Sequence, residues 1–593
     1  MIASALGLAI TSEIIGWVSG NERGPLVIVT AIAAILLGGT KTFRKGLVAV
    51  RTLTLNINFL MSLAVVGALV IGSWPEAAMV TVLFGIAEMI EAYSLDRARN
   101  AVKALMQLAP ELALIQSEGG WKEVSVDSVE IGSVLRVKPG ERIALDGLVV
   151  NGQSSVNQAP ITGESVPVDK TVGDALYAGT INEQGVLEFR VTNSRGHTTL
   201  DKIIKTVQEA QASRAPTQRF VEAFARIYTP VVVLLAVLIA VLPPVFGQPF
   251  APWLYKALVL LVIACPCALV ISTPVTVVTG LAAGARLGIL IKGGAHLESG
   301  RRLSVIALDK TGTLTHGKPK VTDVIALHDS DRDHAMKLAA SLDSLSDHPV
   351  AKAVVNAWQG ELFPVTEFQS LTGRGVGGTI ENEVYFLGNH RLTEEKNVCC
   401  DHVHDAIRSL EAEGKSTVVL ADKSGAIAVF GVADTLKDES VEAVRELHAL
   451  GVKAAMLTGD NEATARSIAS KVGIDDVQSE LLPEEKLAAV KSLQSTYGAI
   501  GMVGDGVNDA PALATATVGF AMGAAGTDTA IETADVALMD DDLRKIPVYI
   551  RLSRKTGRIL TQNIAIALGI KVVFFALAFS GHATLWMAVF ADM

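Results

Sequence analysis

The sequence predicts a multi-domain α-helical membrane protein whose spans are joined to large water-facing domains of α/β and β-rich character. Three observations lead there. Half of the 593 residues are hydrophobic and the mean hydropathy is +0.40, high for a chain that is water-soluble throughout. The apolar residues are clumped into segments of span length rather than dispersed. Against this, 51 basic and 61 acidic residues are too many for a chain made only of spans. Four cysteines exclude a disulfide-stapled secreted scaffold, and a net charge of −10 offers no general nucleic-acid surface. The first apolar stretch contains Glu13 and has no basic region ahead of it, so no cleavable signal peptide is expected.

The apolar segments fall in pairs: 1–19 with 25–39, 58–74 with 77–93, 229–246 with 255–280, and 563–580 with 583–593. Trp74, Trp253 and Trp586 lie near segment ends, as interfacial aromatics do. An even number of spans separates the two long polar regions, so both face one side. Lys41, Arg44, Lys45 and Arg51 join that side, and positive-inside bias makes it the cytoplasm; the membrane is expected to be the plasma (inner) membrane. The expected division is spans 1–4 over 1–94, a β-rich domain over 95–228 and spans 5–6 over 229–283. An α/β domain follows in two pieces, 284–321 and 431–560, with an insert at 322–430 and the last two spans over 561–593. The eighth segment has eleven residues, which reach about 16 Å as helix, half of a hydrocarbon core of about 30 Å. The sequence is therefore expected to be a fragment that stops inside a span, and Met1 need not be the native start.

Region 95–228 alternates in short stretches (EVSVDSV, VLEFRVT), the period of half-buried strands. Within it, Pro160 and Gly163 of Ala159-Pro160-Ile161-Thr162-Gly163-Glu164-Ser165 predict a tight, exposed loop. In the α/β region, Val305-Ile306-Ala307-Leu308 reads as a buried strand ending at Asp309-Lys310-Thr311-Gly312-Thr313-Leu314-Thr315. Open α/β sheets place ligands at the carboxyl ends of their strands, and an aspartate there is a candidate covalent nucleophile towards phosphate. Two further strands repeat the plan. Residues 453–457 run into Thr458-Gly459-Asp460, and 499–503 into Gly504-Asp505-Gly506-Val507-Asn508-Asp509-Ala510-Pro511. Lys486, in LLPEEK at a helix start, supplies an ammonium. A nucleophile, a hydroxyl, an ammonium and a magnesium carboxylate are the parts phosphoryl transfer requires.

DKTGTLT, TGES, TGD and GDGxNDxP, across nearly the whole chain, resemble a P-type ATPase. That resemblance implies a HAD-like, Rossmannoid phosphorylation domain, an α+β nucleotide-binding domain in the insert and a β-rich actuator domain, with ATP and Mg²⁺ as cofactors. Carried over, Asp309 is the residue phosphorylated, Asp505 and the Thr311 backbone hold Mg²⁺, and Thr458 and Lys486 contact the phosphoryl group. Gly459 and Asp460 complete that loop. Glu164, with Thr162 and Gly163, positions water to hydrolyse the aspartyl-phosphate, and Asp509 supports the magnesium loop. In the insert, His348-Pro349, Gly373-Arg374-Gly375 and Gly388-Asn389 mark the nucleotide site. Asp343 stands five positions before His348, where relatives generally have Glu. Gly414-Lys415-Ser416-Thr417 is not a P-loop, because Ser409 stands where the earlier glycine is required.

The sixth segment contains Cys265-Pro266-Cys267. Residues two apart on an unbroken helix point to nearly opposite sides. Pro266 lacks an N–H and clashes with the preceding turn, so it unwinds the span locally and lets both sulfurs face one cavity. Two thiols at membrane depth suit a soft or borderline ion. Lys571 lies mid-segment in the seventh span, about 12 Å deep, with Asp592 in the eighth, and intramembrane charges are costly and paired or functional. A carboxylate with two thiolates suits a divalent ion, with Lys571 as internal counter-ion. This pattern resembles the zinc/cadmium/lead branch of the family, which has Asn-x₇-Lys (Asn563, Lys571) and an Asp in the eighth span. The copper branch's Tyr-Asn and Met/Ser are not found. The expected function is ATP-driven export of Zn²⁺, Cd²⁺ and Pb²⁺ by a monomer in the lipid bilayer, with no nucleic-acid partner. Alternatives are a Cu⁺/Ag⁺ exporter and a membrane-tethered phosphohydrolase without transport.

Gly38-Gly39 resembles the family's kinked second span, whose amphipathic tail implies a platform for a cytosolic metal donor. Glu88 and Glu91 are candidates for guiding cations at the cytosolic end of the fourth span. Cys399, Cys400 and His404, with Cys400 and His404 at i, i+4, are a candidate regulatory metal site, weighed against exposed thiols at a helix end.

Overall fold

The computed structural model describes residues 1–593 apart from 52–56, 107–109, 118–119, 163–165, 214, 265–266, 328–330, 347, 372–373, 397, 399–400, 461, 505–508, 524–531, 533 and 591–593. Helices Ile2–Ser19, Pro25–Arg51 and Trp74–Met106 pack through Ala5, Ala9, Ala31, Ala34 and Ala78, all buried. Side chains this small let helix backbones approach closely, the usual basis of packing in lipid. Gly38 and Gly39 lie within one continuous helix, where a Cβ on Gly39 would collide with Thr81 and one on Gly38 would sit 3.2 Å from Val82. Their evident work is close packing. The C-terminal part of the same helix carries Lys45, whose Nζ is 2.7 Å from Glu88 on the fourth helix.

Ile2–Ser19, Pro216–Val245 and Lys545–Phe579 are each long and apolar enough to cross a membrane. Pro25–Thr40, Phe59–Ile71 and Phe250–Ile263 are shorter apolar helices. The sixth segment is carried by two helices, Phe250–Ile263 and Cys267–Arg286. Leu258, Leu261 and Ile263 join Leu60, Met61, Val65, Phe84 and Leu585 in one apolar core between the spans.

Several helices run far past the apolar stretch. Trp74–Met106 has 33 residues and Lys545–Phe579 has 35, against about 20 for a membrane core. The expected domain limits at 94, 228, 283 and 560 consequently fall inside continuous helices. A change of solvent does not end a helix whose i→i+4 ladder is intact, so polarity alone does not mark where these helices end.

The first water-facing domain has a six-stranded antiparallel sheet in the order Gly120–Ser125, Leu112–Ser117, Val134–Val137, Leu187–Val191, Gly147–Asn151, Ala175–Leu176. A three-stranded sheet stands beside it, and helix Thr199–Ala212 follows, held at its start by a Thr198/Asp201 capping box. The second domain is a seven-stranded sheet in the order Ile289–Ile291, Val536–Leu538, Val518–Ala521, Ile500–Gly504, Val305–Asp309, Lys453–Leu457, Asp476–Gln478. All neighbours are parallel except the first pair. Every residue of Val305–Asp309 is buried, as parallel strands covered on both faces require.

Between its halves lies a six-stranded antiparallel sheet, in which Thr315–Ala326 pairs with Ala426–Leu436. The limits expected at 321 and 430 cut both of these strands, which bridge the two domains as a ribbon. Helices Arg332–Asp343 and Pro349–Asn356 cover one face through Leu338, Leu342 and Val354, and helix Asp401–Ala412 covers the other through Val403, Ile407 and Leu410.

Candidate phosphorylation and metal sites

Asp309 ends the central strand of the parallel sheet, and Leu457 and Gly504 end its two neighbours. Three loops therefore converge at one sheet edge because three apolar strands stop in register. Lys486, in the first turn of helix Pro483–Tyr497, places its Nζ 2.6 Å from Asp309 Oδ1 and 2.9 Å from Asp509 Oδ1. Burial, then the Asp509 carboxylate, push Asp309 up to about 6. Burial works against the Lys486 charge, but Asp309 and Asp509 outweigh it and hold its pKa above the ordinary value. Thr458 Oγ1 accepts from the Asp460 amide at 3.1 Å, and the Asp460 carboxylate takes Lys310 Nζ at 2.5 Å. Gly459 lies between them against the Leu481 carbonyl. Thr311 has φ −78° and ψ 124°, and Gly312 has φ 75°, which opens the turn after Asp309. Asp505 lies outside the described residues.

Two buried carboxylates sharing one ammonium leave negative charge unbalanced, and the Asp509 charge adds to burial in raising the pKa of Asp309. That surplus fits a divalent cation, and the turn opened by Gly312 beside it fits a phosphoryl group. Gly504 is needed for proximity: a Cβ there would lie 2.5 Å from Asp509 Oδ2. Gly504→Ala is expected to push Asp509 off Lys486 and slow phosphoenzyme formation by about 100-fold, the usual penalty for misplacement near 1 Å. Rapid-quench phosphorylation measures it; a rate within threefold of the parent (roughly 0.6 kcal/mol) contradicts this geometry.

Lys437 is a residue that motif reading misses. It is 3% exposed, donates from Nζ to the Gly312 carbonyl at 2.9 Å, and pairs with Asp541 at 2.7 Å. It holds the turn after Asp309 from 125 residues away. A lone lysine before a helix carries no sequence signal of such a role.

In the insert, Asp343, His348, Arg374, Gly375, Gly388, Asn389 and Thr417 line a cleft of about 320 Å³. Asp343 is 6% exposed, and burial pushes its carboxyl up to about 7. His348 Nδ1 accepts from the Val350 amide at 3.3 Å and Asn389 Oδ1 from the Leu392 amide at 3.2 Å, so both cap helices as well as facing the cleft. Gly375 and Gly388 are cross-strand partners, and a Cβ on either would meet the other strand's backbone. Gly373 and the Pro349 side chain lie outside the described residues. Gly414 has φ 80° in a helix-to-strand turn, and Lys415 is bound to Asp323 at 2.5 Å, so this segment is structural. Cys399 and Cys400 also lie outside the description; the His404 ring meets His390 edge-on at 4.8 Å.

The loop predicted to be exposed is not so at Thr162, which is 7% exposed. It ends a short helix, Ala159–Thr162, and its carbonyl accepts from Lys545 Nζ against Gly288. Docking on the second domain buries it, which local sequence cannot foresee. Gly163 and Glu164 lie outside the described residues.

Between the spans, Lys571 is 8% exposed and its Nζ donates to the Ile263 carbonyl at 3.0 Å. That carbonyl lies two residues before Cys265, so the seventh span's ammonium reaches the Cys-Pro-Cys segment. Cys265, Pro266 and Asp592 lie outside the described residues, as does the Cys267 side chain. Sequence reading also passed over Glu76, whose Oε1 accepts from Tyr255 Oη at 2.9 Å; Tyr255 Oη in turn accepts from the Leu585 amide at 3.3 Å. This carboxylate ties the fourth helix to the sixth and eighth segments. Its signal was a Glu in the first turn of a span.

Residues 107–208 match the P-type ATPase actuator domain family, and 303–517 the haloacid dehalogenase-like hydrolases. The chain is 44% identical to a cadmium-transporting ATPase of Staphylococcus aureus, over 98% of this chain and 81% of that protein. It is 40% identical to a zinc/cadmium/lead-transporting P-type ATPase of Escherichia coli (strain K12), over 98% and 79%. The crystal structure of a zinc-transporting PIB-type ATPase in the E2.Pi state superposes with a TM-score of 0.62 at 37% identity, covering 100% of this chain and 96% of that one.

Proposed function

Since this chain belongs to the heavy-metal-transporting P-type ATPases, we propose that it uses ATP to export Zn²⁺, Cd²⁺ and Pb²⁺ from the cytosol across the plasma membrane. The observation that carries the metal part is Lys571, a buried ammonium from the seventh span seated on the Ile263 carbonyl beside Cys265-Pro266-Cys267. Cys265, Cys267 and Asp592 would bind the ion, with Lys571 balancing their charge when it has left.

In the proposed cycle ATP lies in the cleft bounded by Asp343, His348 and Asn389. An Asp309 oxygen attacks the γ-phosphorus, the bond to the β-phosphate oxygen breaks, and ADP leaves. Lys486 neutralises charge on the transferred group, and Thr458 donates to it. Asp505, Asp309 and the Thr311 carbonyl would hold Mg²⁺, which supplies charge neutralisation at the phosphoryl oxygens. Glu164 then takes a proton from water as it attacks phosphorus, releasing phosphate and restoring the Asp309 carboxylate.

ATPase activity of the purified protein against a panel of metals tests this. Zn²⁺, Cd²⁺ and Pb²⁺ are expected to stimulate turnover. Stimulation by Cu⁺ or Ag⁺ alone overturns the divalent reading, and metal-independent turnover would favour a tethered phosphohydrolase.

A further inference from the structure

The nucleotide cleft shares Asn389, Ser416 and Thr417 with a second cleft, of about 920 Å³, that lies between the insert and the parallel-sheet domain. The charged side chains on its insert wall are Arg391, Glu411 and Lys415, and those on the opposite wall are Glu462, Arg466 and Glu480. The two walls touch where Ser467 Oγ donates to the Glu413 carbonyl at 3.2 Å. A Cβ on Gly414 would lie 3.2 Å from Thr464 Cα at the same contact. At its other end the cleft reaches the phosphorylation loops. The Glu480 amide donates to the Asp460 carbonyl at 2.8 Å, and the Asp460 carboxylate holds Lys310, next in sequence to Asp309. The second cleft therefore offers a nucleotide seated at Asp343 and His348 a way to bring its phosphates to Asp309.

Phosphates on that way need a cation that is not already taken. Lys415 Nζ is 2.5 Å from Asp323 and 2.7 Å from Glu413, and Arg466 is 2.6 Å from Glu462. Arg391 is exposed and has no carboxylate within ion-pair distance among the described residues. It stands two residues past Asn389, in the first turn of helix His390–Glu395, so the segment that lines the nucleotide cleft also presents a guanidinium to the second one. A guanidinium keeps its charge at any working pH and holds phosphate oxygens through two N–H groups at once. Glu411 and Glu480 repel phosphate from the same space, which leaves the uncommitted cation as the group that decides whether a polyphosphate is accepted.

We infer that Arg391 binds the β- and γ-phosphates of ATP in the cleft between the two domains and thereby sets the preference for a triphosphate over a monophosphate. The inference rests on the reading of the neighbouring cleft as the ATP site.

The test uses full-length protein carrying Asp309→Asn, which leaves ATP uncleaved, and compares binding of ATP and of AMP by titration calorimetry. Arg391→Gln is expected to weaken ATP about tenfold (roughly 1.4 kcal/mol). AMP, which lacks the β- and γ-phosphates, is expected to stay within about twofold of the parent. Arg391→Glu is expected to weaken ATP by more than Arg391→Gln does, and Arg391→Lys, which keeps the charge, to stay within about threefold. ATP binding within twofold of the parent in both Arg391→Gln and Arg391→Glu overturns the inference. So does an equal loss for ATP and AMP, which would mean a deformed cleft and not a lost phosphate contact. His348→Ala separates the two levels, since it is expected to weaken both nucleotides. If it moves neither, the reading of the nucleotide cleft fails and the inference with it. If it weakens both while the Arg391 variants bind ATP as the parent does, only the role of Arg391 fails.

Discussion

Asp309→Asn is expected to abolish acid-stable phosphoenzyme and cut ATP turnover by at least about 1,000-fold, while leaving the protein as stable as its parent or more so. The stability half follows from the sign of the pKa shift. Asp309 stands at about 6 in the folded protein against an ordinary 3.8, so folding favours its protonated form. The stability this contributes is fully present below pH 3.8 and is lost as pH rises to about 6. At neutral pH the ionised carboxylate is thus a cost, even with Lys486 at 2.6 Å. An amide removes that cost, and Lys486 keeps Asp509 at 2.9 Å. Acid-quench labelling and thermal unfolding at pH 7.5 check both halves. Phosphoenzyme at parental levels would remove Asp309 from its role. A large drop in the unfolding midpoint would mean that its charge holds the site together.

Cys265→Ala or Cys267→Ala is expected to weaken metal binding by at least about 100-fold, since outer-sphere changes at metal sites already cost 10–100-fold. Metal-stimulated turnover falls with it. Phosphorylation by inorganic phosphate is expected to survive, because Asp309, Lys486 and Asp509 lie in a different domain from the spans. That contrast separates loss of cargo from loss of fold. Equal metal stimulation in both variants would leave the thiols as packing groups beside a proline kink.

How much of this was legible depended on whether the signal was local. Asp309 could be found because its strand is an unbroken apolar run ending in a motif, and a buried parallel strand needs that composition. Lys486 could be placed at a helix start by the Pro483 that opens the helix. Its bond to Asp509, across 23 residues, could not. Lys437 and Lys545 were invisible for the same reason. Each is an ordinary lysine until a distant backbone carbonyl, of Gly312 or Thr162, is brought to it. Thr162 was misjudged as exposed because turn chemistry reports local conformation and says nothing of what docks on the turn. The glycines of the nucleotide cleft were read as marks of the nucleotide site, and Gly375 and Gly388 also face one another so closely that packing alone demands them.

The sequence by itself determined the apolar segments, the strand-end carboxylates, the Cys-Pro-Cys segment and Lys571 within an apolar helix, because hydropathy, periodicity and proline act over a few residues. Only the tertiary structure decided where helices outrun the apolar stretches, which ammonium answers which carboxylate, and what buries Thr162. Those outcomes depend on contacts between residues far apart in the chain. The energy of such contacts exists only once the strands and spans have set them within a few ångströms of each other.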